Sequence, residues 1–149
     1  RRRAAEACPG FDATAPRVVL WGARCVTLEN PSLGERTSPE GWTTHIPGGG
    51  ADADLADGVV LSDGCFGIPG GTTAPPHAVR VVAHELGHYL GLRHTVETDG
   101  RADQLDDTDA SNLMNAVPTL AIARGLSPQQ VTIVRRHPAL RAAVPNACR

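Results

Sequence analysis

The eleven residues from His84 to His94, HELGHYLGLRH, hold three of the six histidines in a 149-residue chain. On a helix each residue advances roughly 100° and 1.5 Å, so His84 and His88 stand one above the other on one face. Two imidazoles so placed both reach one ion at about 2.0–2.1 Å, the Zn–N distance. On a continued helix His94 would lie about 9 Å further along the axis and about 240° around from His88, out of reach. The chain therefore has to turn between them, and Gly91 is where it turns. Glycine accepts positive φ and ends helices in a left-handed cap. The stretch thus demands a helix up to about residue 90, a reversal at Gly91, and a third imidazole swung back to the same point.

Three neutral imidazoles leave the fourth position of a tetrahedral ion open, which marks a catalytic zinc site; structural sites are closed by four protein ligands. Glu85 is offset from both helical histidines, too poorly aimed to be a third ligand but placed to take a proton from a water on the ion. The expected chemistry is metal-assisted hydrolysis of an amide bond. Zinc lowers the pKa of its water toward about 7 and polarises the carbonyl, and Glu85 passes the proton to the leaving amine. HExxH alone recurs by chance; a fixed glycine and a third histidine make the pattern far more specific.

The surroundings suit such a helix. Val79, Val82, Ala83, Leu86 and Leu90 recur at three- and four-residue spacing, and Pro75-Pro76 fit a first turn. Upstream, Val18–Leu20, Cys25–Leu28 and Gly58–Ser62 read as strands. Asn30 to Gly50 and Gly67 to Pro76, rich in Gly, Pro, Ser and Thr, read as loops. After His94 comes an acidic, irregular segment from Glu97 to Asp109. Ser127 as N-cap, Pro128 in the first turn and Gln130 closing a capping box predict a last helix to about Arg136, ending before Pro138. The whole reads as a single α+β domain.

Hydrophobic residues make up 41% of the chain and the formal net charge is −2. With no basic excess, nucleic acid is not an expected partner. No apolar run approaches the roughly 20 residues that cross a membrane. The only methionine is Met114, so the chain reads as a piece of a longer precursor. Cys8, Cys25, Cys65 and Cys148 form no CxxC pair; two disulfides in a secreted protein are expected, with all three pairings open. His45, His77 and His137 lack ligand-like spacing and read as surface or loop residues, His45 being the one nearest a role in the cleft wall.

The full pattern HExxHxxGxxH resembles the signature of the metzincin clan of zinc peptidases. Metzincins place a methionine-containing turn beneath the metal, and Ser111-Asn112-Leu113-Met114-Asn115 lies in the corresponding region. Ala116 stands where some metzincins carry an extra tyrosine ligand. Within the clan the chain resembles the pappalysin (cytophagalysin-like) family on three stretches. These are Asp57-Gly58-Val59-Val60, His94-Thr95 with the following Asp106-Asp107-Thr108, and Asn112-Leu113-Met114 with Leu126-Ser127-Pro128-Gln129-Gln130. Matrixins, which Thr95 also suits, come second.

The resemblance implies a secreted, monomeric zinc endopeptidase acting on peptides or proteins. Its upper subdomain, about residues 1–91, would hold a small mixed sheet and the zinc helix above the cleft. Its lower subdomain, about residues 92–149, would hold the methionine turn of Met114 and the last helix. A peptide would add as an extra strand along Val59, Val60 and Leu61. Asn115, Ala116 and Val117 would wall the pocket for the side chain that follows the cut. The dense acidic segment, with Asp106, Asp107 and Thr108 foremost, is a candidate calcium site beside the zinc. Two rival readings are a zinc-bearing binding module that does not cut and a zinc hydrolase of non-peptide amides; the intact Glu85 argues against the first.

Overall fold

The computed structural model describes residues 18–30, 34–49, 57–62, 75–97, 99–116 and 125–141. The centre of its main sheet is β5 (Val59–Ser62). Its paired valines favour extended backbone, and Val59 is fully buried. β1 (Leu20–Ala23) runs parallel to one side of β5, with Leu20 opposite Val59. β4 (Gly41–Thr43) runs antiparallel on the other side, with Thr43 opposite Val59. The order is β1-β5-β4, and β2 (Leu28–Asn30) and β3 (Glu35–Thr37) form a separate antiparallel pair. The mixed α+β class is as expected; three details of the sheet are not.

First, β1 starts only at Leu20 and β2 only at Leu28, where the strands expected over Val18–Leu20 and Cys25–Leu28 would end. Second, the segment expected to be loop from Asn30 to Gly50 contains β3 and β4. Each is three residues long, too short to show alternation. β4 is held by its partner, with Ser62 N–H donating to Glu40 O (2.8 Å) and Thr44 N–H to Gly58 O (3.1 Å) beyond the paired residues. Third, Val59, Val60 and Leu61 are not at a rim. Their strand is hydrogen-bonded on both sides and offers no edge to an added peptide, so that expectation is corrected. Among the described residues the outer strands of this sheet are β1 and β4, and β4 is the one that lines the cleft.

α1 (Pro75–Tyr89) packs across β4 and β5. Its end obeys the glycine. Gly91 has φ +100°, Gly91 N–H donates to His88 O and Leu92 N–H donates to Gly87 O, both at 2.9 Å. This pair of bonds is the Schellman closure, which satisfies the helix's last carbonyls. Leu92 follows the reversal into the interior, 1% exposed. α2 (Pro128–Val134) has the expected capping box: Gln130 N–H donates to Ser127 Oγ (3.2 Å) and Ser127 N–H to Gln130 Oε1 (3.0 Å). Tighter turns through Arg136 and His137 end it, and a short α3 (Pro138–Arg141) follows.

His137 is a correction to the surface reading. It is buried, with Nε2 3.0 Å from Gly48 O and Nδ1 accepting from Ala139 N–H at 3.2 Å. Those partners fix the neutral Nε2–H tautomer. His137 thereby ties the 44–49 loop to the last two helices, while Gly48 N–H donates to Tyr89 O (2.8 Å) and Tyr89 Oη–H to Asp57 Oδ2 (3.0 Å). Cys25 is disulfide-bonded. Cys8, Cys65 and Cys148, the side chain of His77, and Val117 lie outside the described residues. No helix among the described residues is long and apolar enough to cross a membrane.

The reversal at Gly91 yields a prediction. A Cβ there would meet only ordinary contacts with Pro47 and Ile133, so an alanine is opposed by the backbone angle alone. Gly91→Ala should lower stability by about 1–2 kcal/mol, read as a lower denaturation midpoint in metal-free protein. An unchanged midpoint would show that the reversal does not require glycine.

Candidate metal centre

His84 and His88 come from α1 and His94 from the chain beyond Gly91, and the structure brings their ligand atoms within 4.8 Å of one another. His88 Nε2 lies 3.1 Å from His84 Nε2 and 3.0 Å from His94 Nε2. Each ring is held from behind: His84 Nδ1 is 2.8 Å from Leu113 O, His88 Nδ1 2.8 Å from Leu92 O, and His94 Nδ1 2.9 Å from Glu97 Oε2. A carbonyl or carboxylate oxygen only accepts, so all three Nδ1 atoms carry the proton and all three Nε2 atoms turn a lone pair inward. Three lone pairs that converge within 4.8 Å repel unless a cation sits among them. An outer partner on the second ring nitrogen is the usual support of a metal-bound histidine. The residues fit one ion of the zinc type.

The electrostatics agree. Burial pushes the His88 imidazole down to about 4 and lowers that of His84 too, against the opposing pull of their carbonyl partners. Both rings are therefore neutral near pH 7, the form that binds a metal.

Glu85 lines the same cleft as the three histidines. Burial raises its pKa, and a hydrogen bond from Thr43 opposes the rise. Thr43 Oγ1 is 2.6 Å from Glu85 Oε2 and 2.8 Å from Glu85 O. A hydroxyl has one proton and two lone pairs. It donates to Oε2 when the carboxylate is charged. When the carboxylic acid forms, it donates to the carbonyl and accepts from the acid, so Glu85 keeps its partner in both states. Gly41 lies against the same side chain; a Cβ there would stand 2.5 Å from Glu85 Cγ. β4 thus supports Glu85 twice, by a hydroxyl and by a missing side chain.

Met114 lies beneath, fully buried, its thioether against the Cα of Gly87 between the two helical histidines. Its turn is closed by Asn112 Oδ1, which accepts from Met114 N–H at 2.8 Å, and Asn112 Nδ2 donates to Gln130 Oε1 at 2.9 Å. Ala116 lines the cleft; Asn115 does not, and donates from Nδ2 to Ala110 O at 2.8 Å. His45 is exposed, 3.7 Å from Asp57 Oδ1, and is not in the cleft wall.

The calcium expectation finds no support. Among the described residues the only cluster suited to a metal is that of the three histidines. Asp107 spends both oxygens on α2, accepting from Ser127 Oγ–H (2.7 Å) and Gln129 N–H (2.9 Å). Thr108 Oγ1–H donates to Asp103 Oδ1 (2.7 Å), and Asp106 is exposed.

A family model described as pregnancy-associated plasma protein-A, Peptidase M43, matches residues 41–127, more than half of the chain. The chain belongs to this pappalysin family of metallopeptidases. Among curated relatives, an extracellular metalloprotease of Arthroderma otae is 33% identical over 76 residues, covering 50% of this chain and 27% of the relative. One from Colletotrichum graminicola is 39% identical over 82 residues, covering 52% and 27%. One from Verticillium alfalfae is 33% identical over 87 residues, covering 57% and 28%. The chain thus spans little more than a quarter of the length of these relatives. The pappalysin match begins at Gly41, so β4 falls inside it although it carries no motif.

Sequence reasoning missed Thr43 and Gly41, whose strand looked like loop, and the role of Glu97. In the sequence Glu97 belongs to the acidic segment, and its spacing of three residues after His94 is the one signal of its role. The centre predicts near-stoichiometric zinc by elemental analysis. His94→Ala should lose most of it, and full retention would remove His94 from the ligand set. Loss of an outer partner costs about 10–100-fold in metal affinity, so Glu97→Ala should weaken zinc binding by that factor in a chelator competition.

Proposed function

We propose that the chain is the catalytic domain of a secreted zinc endopeptidase of metzincin type, with His84, His88 and His94 as ligands and Glu85 as general base. The observation that carries this is the convergence of three inward Nε2 lone pairs beside a buried carboxylate held by Thr43. The pappalysin match and the relatives named extracellular metalloproteases support the reaction class and the location. A disulfide-bonded Cys25 suits an oxidising compartment, and two bridges remain our reading of the four cysteines. The domain divides near residue 91, with the sheet and α1 above and the turn of Met114 and α2 below.

Zinc at this site supplies a Lewis acid that polarises the scissile carbonyl and acidifies water. The protein's own groups do the rest. Glu85 takes the proton from the attacking water and delivers it to the leaving amine, with Thr43 following the change in its protonation state. Substrate lies along β4. Glu40 and Thr44 bond toward β5, so by the alternation of an antiparallel ladder Gly41 and Thr43 turn their N–H and C=O groups to the free edge. An extended peptide bonds there as an added strand. Ala116 faces the same cleft and walls the pocket beyond the cut bond.

Glu85→Gln keeps size and the Thr43 hydrogen bond but removes the base. It should retain zinc and fold normally, while hydrolysis of a mixed peptide library falls by at least about 10²-fold. Loss of zinc in this variant would make Glu85 a ligand or support. Zinc retention with unchanged hydrolysis would assign the base to another group.

A further inference from the structure

Arg80 is the buried charged group lining the cleft that the mechanism leaves without work. It sits on α1 one helical turn before His84, on the same face, and lines the cleft with His84, Glu85, Thr43 and Ala116. Only 7% of it is exposed, and its Nε is buried without a hydrogen-bond partner. Among the described residues no ion pair holds its guanidinium. Two of the cleft's carboxylates are used otherwise: Glu85 is bonded to Thr43 and Glu97 to His94.

Burial lowers the affinity of this guanidinium for its proton, and its charge reaches the ring of His84. A lysine in such a place would shed its proton; a guanidinium does not. A buried donor with no acceptor is unfavourable, and Nε of Arg80 is such a donor facing into the cleft wall. The fork of an arginine matches a carboxylate bidentately.

We propose that Arg80 is a specificity-determining residue that receives a substrate carboxylate close to the scissile bond, so that the enzyme prefers an acidic side chain there. The proposal rests on the peptidase reading. The four residues from Arg80 to His84 rise about 6 Å along α1, and an extended peptide advances about 3.3 Å per residue. The carboxylate therefore lies within about two residues of the cut.

The test measures binding and cutting separately. Acetylated, amidated hexapeptides with Glu or Gln at each position in turn are titrated into zinc-loaded Glu85→Gln protein by fluorescence anisotropy. At one position Glu should bind at least about tenfold tighter than Gln, the scale of one charge-assisted contact. Adding Arg80→Leu should abolish that ratio, Arg80→Lys should keep part of it, and Arg80→Glu should favour Lys over Gln at the same position. In the active enzyme the Glu-to-Gln ratio of kcat/KM should fall in parallel in Arg80→Leu.

If only peptides with a free C-terminus bind and internal Glu has no effect, the carboxylate is the chain terminus, and Arg80 remains its receptor. An equal Glu-to-Gln ratio in the Arg80→Leu and parent proteins overturns the proposal, as does the absence of any carboxylate preference in the parent. Zinc content checks the fold of each variant, and Arg80→Gln replaces any that fails. Acid-selective binding without hydrolysis of any peptide would leave Arg80 in its role and defeat the peptidase reading instead.

Discussion

Three hydrogen bonds on the far side of the imidazoles set the metal centre. Leu113 O, Leu92 O and Glu97 Oε2 take the Nδ1 protons of His84, His88 and His94. Each acceptor comes from a different piece of chain: the turn before Met114, the residue after the helix reversal, and the segment that follows the third histidine. Those pieces need not be near one another in sequence, but none can shift without rotating a ring. The centre is therefore a junction of three local structures, and the ion site is the point where their constraints agree.

This arrangement inverts the usual logic of an amphipathic helix. The buried residues of α1 include Arg80, His84, Glu85, His88 and Tyr89, whereas Val79 is 67% exposed and Val82, Ala83 and Leu86 are only half-buried. Burying so many polar groups is costly unless each is bonded. The pattern is met almost throughout: His84 and His88 by backbone carbonyls, Glu85 by Thr43, Tyr89 by Asp57. Polar satisfaction, as much as apolar area, decides how α1 lies on the sheet. Arg80, left unmatched, stands out for that reason.

Features fixed by local rules were readable in the sequence. Helical spacing, the demand for positive φ at Gly91 and the capping box at Ser127 all depend on residues within about six positions of one another, and all appear as expected. Features that depend on partners distant in the chain were not. β4 is three residues long and exists through pairing with β5, so Thr43 and Gly41 gave no sign of their place beside Glu85. His137 looked like a surface residue because its acceptor, Gly48 O, lies 89 positions away. The rim was misplaced on β5 for the same reason: a strong β-branched run marks a strand but not its rank in the sheet.

The acidic segment shows how composition misleads when geometry is unknown. Asp99, Asp103, Asp107 and Asp109 each accept a backbone N–H. Asp99 accepts from Arg101 N–H, Asp103 from Leu105 N–H and Asp109 from Ser111 N–H, and Asn112 accepts in the same way from Met114 N–H. Each bond spans two residues, the Asx turn by which Asp and Asn replace a backbone partner. Between them Val96 and Ala102 form a single antiparallel bridge, which fixes Glu97 behind His94. A loop with little apolar content has no core to hold it, so side chains that close their own turns must supply its shape. The same device, used with the neutral amide of Asn112, closes the last turn and sets Met114 against α1. The aspartates thus build the path from the third histidine to the methionine, and their charge is incidental to the short acceptor they provide.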